Sequence, residues 1–470
     1  MATQESDATG STAGGGTRTH DVVIVGAGTA GCYAAARLAD EGLDVVVLER
    51  KTADEAGHIA CGDALKGADK FPEAIPKSHI EPAFTNTDVD HGRFEIPAQD
   101  TVLDIPVPGE LAVIDRWEYG RRIIDGAESQ GAQFHYDTVV KDVRQDDSGR
   151  VTGVSAIRKG DPLTYEAEVV IDGAGSLSIL QDKADLDDAT FDTNVSYSQF
   201  SSAYREIVEV DEPVPWDDAL VFKPTERSAG YLWYFPRTET EINVGLGFQM
   251  NEDPMQLVES LKRDVRERPE FENAEVKDKL GAALPTRRPY DSAVAPGFMA
   301  VGDAAGHVNP TTGGGIAGAA YAGTYAAEAA IDAIGDGTMD ESALWEYNQR
   351  VMDHFGGRYA ALDVYNIFTT AYDLDDLMAL LAALPVTKLS EALYSGSADI
   401  GPLLKLKTAI KSYGHWSTIY DLYQTKNLAD RLLEHYEDYP TDPSAFGTWQ
   451  TRRDELMDEI YETTGADAKY

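Results

Sequence analysis

The stretch Asp21-Val-Val-Ile-Val-Gly26-Ala-Gly28-Thr-Ala-Gly31, followed by Asp44-Val-Val-Val-Leu-Glu49, decides the fold of this chain. Asp21–Val25 is a short β-branched run of the kind a buried parallel strand requires. Gly26 and Gly28 allow a tight turn with no Cβ in the way, so backbone can approach a pyrophosphate, and Gly31 lets the next helix pack closely on the strand. That helix, expected from Thr29 to Glu41, aims its N-terminal amides and positive dipole end at the phosphates. Gly42 stops it, the second strand follows, and Glu49 lies where a carboxylate accepts from ribose hydroxyls. Strand, glycines, helix, strand and acid in this order read as a βαβ unit that binds an adenine dinucleotide.

Composition sets the bounds. A chain of 470 residues with 43% hydrophobic content can bury a large core and divide into two or three domains. Its 81 Asp+Glu against 40 Lys+Arg give a net charge of -41, and the acids are spread along the chain rather than gathered in a tail. An acidic, hydrated surface of this kind suits a salt-rich cytoplasm, where repulsion is screened, and argues against a nucleic-acid partner. The two cysteines, Cys32 and Cys61, exclude a disulfide framework and fit a reducing compartment. Residues 1–19 are small and polar and read as a disordered leader. No run of eighteen apolar residues is present, so a cytoplasmic protein, with at most peripheral membrane contact, is expected. The Ile316–Ile334 stretch, rich in Ala and Gly, reads as a tightly packed helix.

Further along, strand-like pieces are expected at Arg93–Ile96, Thr101–Ile105 and Leu111–Ile114, then a helix opened by Arg116. Strands at Gln133–Tyr136, Val139–Val143, Val151–Ile157 and Leu163–Ile171 read as one antiparallel meander. The alternating region from about Leu186 to Leu284 reads as a sheet that binds substrate. Val301-Gly302-Asp303 then resumes a nucleotide-binding pattern and leads into Gly313-Gly314-Gly315 and a helix. Helices are expected from there on, at Leu344–Gly356, Leu377–Leu384, Leu404–Tyr413 and Leu428–Tyr436. The expected fold class is α/β: a Rossmann-type FAD-binding domain (20–85, 112–185 and 286–335), an inserted antiparallel-sheet substrate domain (86–111 and 186–285), and a C-terminal helical region (336–470).

The second nucleotide turn argues for a flavin. A strand-terminal carboxylate such as Asp303 can accept from a ribitol hydroxyl. The glycine turn with its helix can present amides and a dipole to the pyrimidine side, where the reduced anion gathers charge. No cluster has metal-ligand spacing, and there is no Gly-x-Ser-x-Gly elbow.

With these motifs in view, the chain resembles the flavoproteins of the p-hydroxybenzoate hydroxylase superfamily and, within it, the geranylgeranyl reductases that act on archaeal digeranylgeranylglycerophospholipids. The superfamily marks are the opening fingerprint with Glu49, the Arg116 helix, Asp172-Gly173, and Gly302-Asp303 with its glycine loop. The narrower marks are Tyr231-Leu-Trp233-Tyr-Phe235-Pro236, followed by Asn243-Val-Gly245-Leu-Gly247, and the Cys61-Gly62 pair. One departure is that Asp172-Gly173-Ala-Gly175-Ser176 lacks the arginine that closes this motif in the hydroxylases, with Leu180 and Gln181 nearby instead; this favours a reductase.

The resemblance implies FAD, held by Gly26, Gly28, Gly31, Glu49, Arg116, Gly302, Asp303, Gly313, Gly314 and Gly315. It also implies a prenyl lipid substrate and an electron donor, either NAD(P)H or a reduced protein carrier. Cys61 is implied as the catalytic residue, with His58 and Asp63 as weaker acid candidates. Tyr231, Trp233 and Phe235 share one strand face and suit a prenyl chain, though the same pattern fits ordinary sheet core. Alternatives are a reductase of dolichol or menaquinone tails, an FAD-dependent aromatic monooxygenase, and a non-catalytic flavin-binding assembly protein.

Overall fold

The computed structural model describes residues 16–97, 100–176, 178–186, 196–225, 230–250, 253–372, 377 and 416–470. Its principal sheet is built around the strand Gly16–Val25, which pairs in parallel with Val45–Leu48 on one side and Asp161–Asp172 on the other. Gln133–His135 extends the sheet in parallel beyond Val45–Leu48, and Phe298–Ala300 does so beyond Asp161–Asp172. Val22, Val23 and Ile24 are wholly buried, as a strand covered on both faces requires.

The register brings Val25 level with both Leu48 and Asp172, and Asp172 level with Ala300. The turns that follow these strands therefore meet along one sheet edge. In open α/β sheets, that carboxyl-terminal edge is where ligands bind.

Two expectations change here. The first strand begins at Gly16, so residues 16–19, expected in the leader, pair with Leu163–Glu166 instead. Gln133–His135 is no member of a meander: it is a parallel edge strand, while Thr138–Gln145, Val151–Arg158 and Asp161–Asp172 form the antiparallel run. The long final strand joins both parts, with its first half in the antiparallel run and its last residues among the buried parallel strands.

The helix Thr29–Asp40 packs between this sheet and the long helix Ile316–Asp336. The small residues of both permit a close crossing: a Cβ on Gly323 would lie 2.1 Å from the Ala30 carbonyl oxygen. The Ile316–Asp336 helix is thus part of the interior, and among the described residues no helix is long and apolar enough to cross a membrane.

A second sheet has seven strands in the order Glu275–Pro285, Phe200–Glu209, Glu241–Gln249, Gly230–Pro236, Ala219–Pro224, His91–Ile96 and Thr101–Pro106. All its pairings are antiparallel except that of Ala219–Pro224 with His91–Ile96. One face packs on the helix Pro254–Glu267 through Leu232, Tyr234, Leu246, Leu257 and Leu261. The opposite face carries Trp233 and Phe235 with Leu220, Val89 and Val113. A three-stranded sheet of Ala64–Lys66, Leu111–Ile114 and Phe84–Asn86 lies against this second face.

Helices Glu341–Val351, Gly357–Thr370, Trp416–Glu437 and Phe446–Thr464 cover the outer side of the first core. The helices expected at 378–384 and 404–413 lie outside the described residues.

Candidate active site

The opening fingerprint forms a tight glycine turn between the first strand and the helix that follows. Gly26 sits at φ +98°, in the left-handed region, and a Cβ there would lie 2.4 Å from the Gly173 carbonyl oxygen. A Cβ on Gly31 would lie 2.1 Å from the Gly26 carbonyl oxygen, so strand and helix can meet only because both residues are glycine. Gly28 differs: nothing lies within 4 Å of its would-be Cβ. The space beside Gly28 at the mouth of the helix is open, as a site for pyrophosphate needs.

Glu49 is buried and holds the same loop. Its Oε2 accepts from the Ala27 amide at 2.9 Å, and its Oε1 accepts from the Lys51 amide at 2.9 Å. A carboxylate accepts more than one hydrogen bond per oxygen, so capacity remains for a ribose hydroxyl.

Arg116 starts the helix Arg116–Ser129, which Asp115 caps by accepting from the Trp117 and Glu118 amides. The guanidinium is buried; Nη2 donates to Thr29 Oγ1 at 3.4 Å, and the ring of Tyr119 lies 5.1 Å away. Its Nη1 is buried with no hydrogen-bond partner among the described residues. Unpaired buried guanidinium nitrogens are costly, and an anionic or carbonyl-bearing ligand beside Thr29 would satisfy this one.

The second nucleotide turn stands beside the first. Gly302 takes φ +64°, and a Cβ there would lie 3.1 Å from the Ala30 side chain. The His307 imidazole, wholly buried and pushed down to about 3 by burial, stays neutral and accepts at Nδ1 from the Gly302 amide at 3.2 Å. His307 therefore supports the turn from behind. Asp303 accepts from Ser176 Oγ at 3.1 Å, and burial lifts its carboxyl above the ordinary range. Next, Asn309 ties the glycine loop by accepting from the Thr311 and Thr312 amides at 3.0 and 3.2 Å. Gly315 opens the Ile316–Asp336 helix with its would-be Cβ 3.5 Å from Asp303 Oδ1. Asp303 thus faces the amino end of a 21-residue helix. Gly313 (φ +68°) and Gly314 lie at the tip of this loop.

The aromatic strand reaches the same place. Tyr231, Trp233 and Phe235 do share a face, with ring centroids 6.1 and 6.3 Å apart. Phe222 joins them at 5.5 Å from Tyr231 and 5.1 Å from Phe235. Across the sheet, Gly245 stands level with Trp233, and a Cβ on it would lie 2.1 Å from the indole. Gly245 therefore has a physical reason: the large ring lies flat where its side chain would stand, whereas a Cβ on Gly247 would clear the same ring at 3.8 Å. Tyr231 donates its hydroxyl to the Thr312 carbonyl at 2.7 Å, joining the aromatic face to the glycine loop.

The Cys61-Gly62-Asp63 loop lies on this face. A Cβ on Gly62 would sit 3.2 Å from Phe235 and 3.6 Å from Trp233 Nε1. The Cys61 Sγ accepts from the Asp63 amide at 3.2 Å, and burial pushes the thiol upward, keeping it protonated. Asp63 is wholly buried at φ +68°. Burial lifts its carboxyl, opposed by Arg237, whose Nε and Nη2 reach Oδ2 at 2.8 and 2.7 Å. His58 is committed elsewhere: its Nε2 pairs with Asp278 at 2.8 Å and its ring stacks on Trp117 at 4.7 Å. Among the described residues, no group of three or more His, Cys, Asp or Glu is arranged to hold a metal ion.

Sequence reasoning did not single out Arg237, Asn243, Ser176 or Asn309 as parts of this site. Asn243 carried a signal, as a polar residue in an otherwise apolar strand interior with Val244 and Leu246. Arg237 and Ser176 had none, since Asp63 and Asp303 are far away in sequence, whereas Asn309 stands two and three residues before the amides it holds.

Two glycine turns at the carboxyl edge of a parallel sheet, an orphaned guanidinium and a helix amino end facing Asp303 define a dinucleotide-binding flavoprotein. Residues 19–355 match the family model described as FAD binding domain. The digeranylgeranylglycerophospholipid reductase of Methanothrix thermoacetophila is 30% identical over 77% of this chain and 90% of its own length. That of Sulfolobus acidocaldarius is 28% identical over 94% of this chain and 98% of its own length. Among solved structures, a geranylgeranyl bacteriochlorophyll reductase-like protein from Thermoplasma acidophilum has the same fold, with TM-score 0.73 and 24% identity over 87% of this chain and 100% of its own. The myxobacterial chondrochloren halogenase also shares the fold, with TM-score 0.61 and 16% identity over 84% of this chain and 97% of its own. The chain belongs to the FAD-binding domain family and, within it, to the family of the digeranylgeranylglycerophospholipid reductases.

Proposed function

We propose that this protein is an FAD-dependent reductase that saturates isolated double bonds in the geranylgeranyl chains of archaeal ether lipids or their precursors. The observation that carries the reading is the meeting of three parts: the flavin-type glycine loop, the Tyr231–Phe235 aromatic face bonded to it, and the Cys61-Gly62 loop whose glycine lies against Phe235 and Trp233. Gly26, Gly28 and Gly31 hold the pyrophosphate, Glu49 the ribose, and Asp303 with Gly302 the ribitol. The Gly313-Gly314-Gly315 loop, its first two amides bonded within the loop, brings the helix end to the pyrimidine edge, and Arg116 Nη1 would reach the cofactor. When bound and reduced, FAD supplies hydride.

An isolated alkene has no carbonyl to stabilise developing charge, so the protein must supply a proton to the second carbon and keep water out. Cys61 is the proton donor, held protonated by its buried setting. Tyr231, Trp233 and Phe235 line the path of the prenyl chain, and residues 86–111 and 186–285 form the substrate-binding unit. Since prenyl lipids reside in membranes, the protein meets them from the membrane surface. Electrons come from NAD(P)H or a reduced protein carrier.

The test is direct. Enzyme reduced with dithionite and given a geranylgeranyl lipid should yield products heavier by pairs of hydrogens in mass spectrometry. Wild-type enzyme that adds none to ether lipid, dolichol or menaquinone, yet couples NAD(P)H to oxygen uptake, is a monooxygenase instead. Trp233→Ala should impair long prenyl substrates more than short ones, because it removes contact area along the chain.

A further inference from the structure

The Asn243 side chain is wholly buried and makes three hydrogen bonds to three different parts of the site. Its Oδ1 accepts from Trp233 Nε1 at 2.9 Å. Its Nδ2 donates to the Cys61 carbonyl at 2.8 Å and to Asp63 Oδ2 at 2.6 Å. The indole N–H can only donate and the carbonyl can only accept, so the amide has one orientation that satisfies both. One carboxamide therefore links the ring that dominates the aromatic face to the backbone of the residue carrying the thiol. Arg237 donates to the same Asp63 oxygen, Oδ2, and is itself tied to Glu241, at 3.3 Å, and Asp115, at 3.8 Å. Residues 57–63 form neither helix nor strand, so the loop is held in place by side-chain bonds, of which this amide is the one that reaches Cys61 itself.

We propose that Asn243 is a positioning residue that fixes the Cys61 backbone relative to the Trp233 ring, and so sets where along the prenyl chain the proton is delivered. The proposal rests on the reading of Cys61 as proton donor. Without the amide, the Cys61 carbonyl and the indole N–H both lose their buried partner, and loop and ring are free to separate. Replacing the amide by a carboxyl has a distinct signature. In Asn243→Asp an acceptor stands 2.6 Å from Asp63 Oδ2, where a donor stood, and two carboxylates at that distance must share a proton. The charged groups facing this point are Asp63 and Arg237, with Arg205 within electrostatic reach of Asp63. The shared proton restores the bond to Asp63 in acid, while the Cys61 carbonyl stays without its donor, and it is lost as pH rises.

Alkylation by iodoacetamide reads the loop independently of catalysis, because Cys32, the second cysteine, is wholly buried. Asn243→Ala should retain FAD, alkylate at Cys61 about tenfold faster or more, and lose about tenfold or more in kcat with a smaller change in KM. Asn243→Asp should be slow at pH 8 and recover in part, short of wild type, as pH falls toward 5. If the alanine variant does not fold, the near-isosteric aspartate variant and Trp233→Phe, which removes the indole N–H, carry the same measurements. Wild-type alkylation and turnover in these variants, with Cys61→Ala slow, overturn the proposal. Normal turnover in both Cys61→Ala and Asn243→Ala, with faster alkylation in the latter, overturns the proton-donor reading.

Discussion

Tyr231 Oη and the Thr312 carbonyl, 81 positions apart in sequence, meet at 2.7 Å. This bond joins the second sheet to the tip of the glycine loop that precedes the Ile316–Asp336 helix. Burial pushes the Tyr231 hydroxyl up to about 12, so it remains a donor across neutral pH. The bond pre-organises the glycine loop that the proposed function sets beside the flavin. Tyr231→Phe keeps the ring and deletes the bond, a loss of about 1 kcal/mol. FAD should then bind roughly fivefold more weakly, as read by fluorescence titration of the apoenzyme. Unchanged affinity would mean the loop holds its shape without the tyrosine.

The fingerprint glycines should fail in different ways. Nothing of the protein lies near a Cβ on Gly28, whereas one on Gly31 would lie 2.1 Å from the Gly26 carbonyl oxygen. Gly28→Val should therefore fold normally and lose its flavin, because the side chain occupies the pyrophosphate's place. Gly31→Ala should lower the melting temperature of the apoprotein itself, since helix and strand must separate. Absorbance in the flavin bands and thermal unfolding of each apoprotein distinguish the two. Full flavin occupancy in Gly28→Val would refute the assignment of the pyrophosphate site.

Much of this was legible because the fingerprint is local. The strand, turn and helix around Gly26, Gly28 and Gly31 follow from neighbours within eleven residues, and alternation along Tyr231–Phe235 puts three rings on one face. The partners that give the site its shape were not legible. Asp63 and Arg237 stand 174 positions apart, and Asn243 and Cys61 stand 182 apart. No periodicity reports such pairings; they exist only once the sheet has folded against the loop. The edge strand at Gln133–His135 was misassigned for a related reason, since three residues carry no sign of the direction in which they pair.

Asp172 gives the fold a pH dependence of definite sign. It is wholly buried at the end of the central parallel strand, and burial raises its carboxyl from the ordinary 3.8 to about 6, although Ser178, Gln181 and the Ala174 amide donate to it. A carboxyl raised in the folded state contributes stability below its unfolded value and loses it as pH rises through its folded value. Between pH 4 and pH 7 the wild type should lose about 3 kcal/mol relative to Asp172→Asn, whose side chain does not titrate. Urea unfolding of both proteins at several pH values in that window checks this. Parallel stability curves would show that Asp172 stays ionised throughout.

The thiol of Cys61 makes the sharpest chemical prediction. Its Sγ accepts from the Asp63 amide at 3.2 Å, which favours the thiolate, yet burial outweighs that bond and the nearby Arg116, and the thiol lies above its ordinary 9.0. A general acid works in its protonated form, so the rate of alkene reduction should be level from pH 6 to 9 and fall only at higher pH. Cys61→Ala should slow reduction by about a hundredfold, the usual cost of losing a positioned acid. Cys61→Ser should recover little of this, since a hydroxyl releases a proton far less readily than a thiol. All three proteins should bind FAD equally, because Cys61 is not among the residues assigned to hold the cofactor. Single-turnover reduction of a geranylgeranyl lipid by dithionite-reduced enzyme, run in deuterated water, reads the outcome in two ways: the rate of saturation and the deuterium at the second carbon. A Cys61→Ala enzyme that saturates the lipid at the wild-type rate would show that the proton reaches that carbon from another donor, and the thiol would then be a packing group beside the aromatic face.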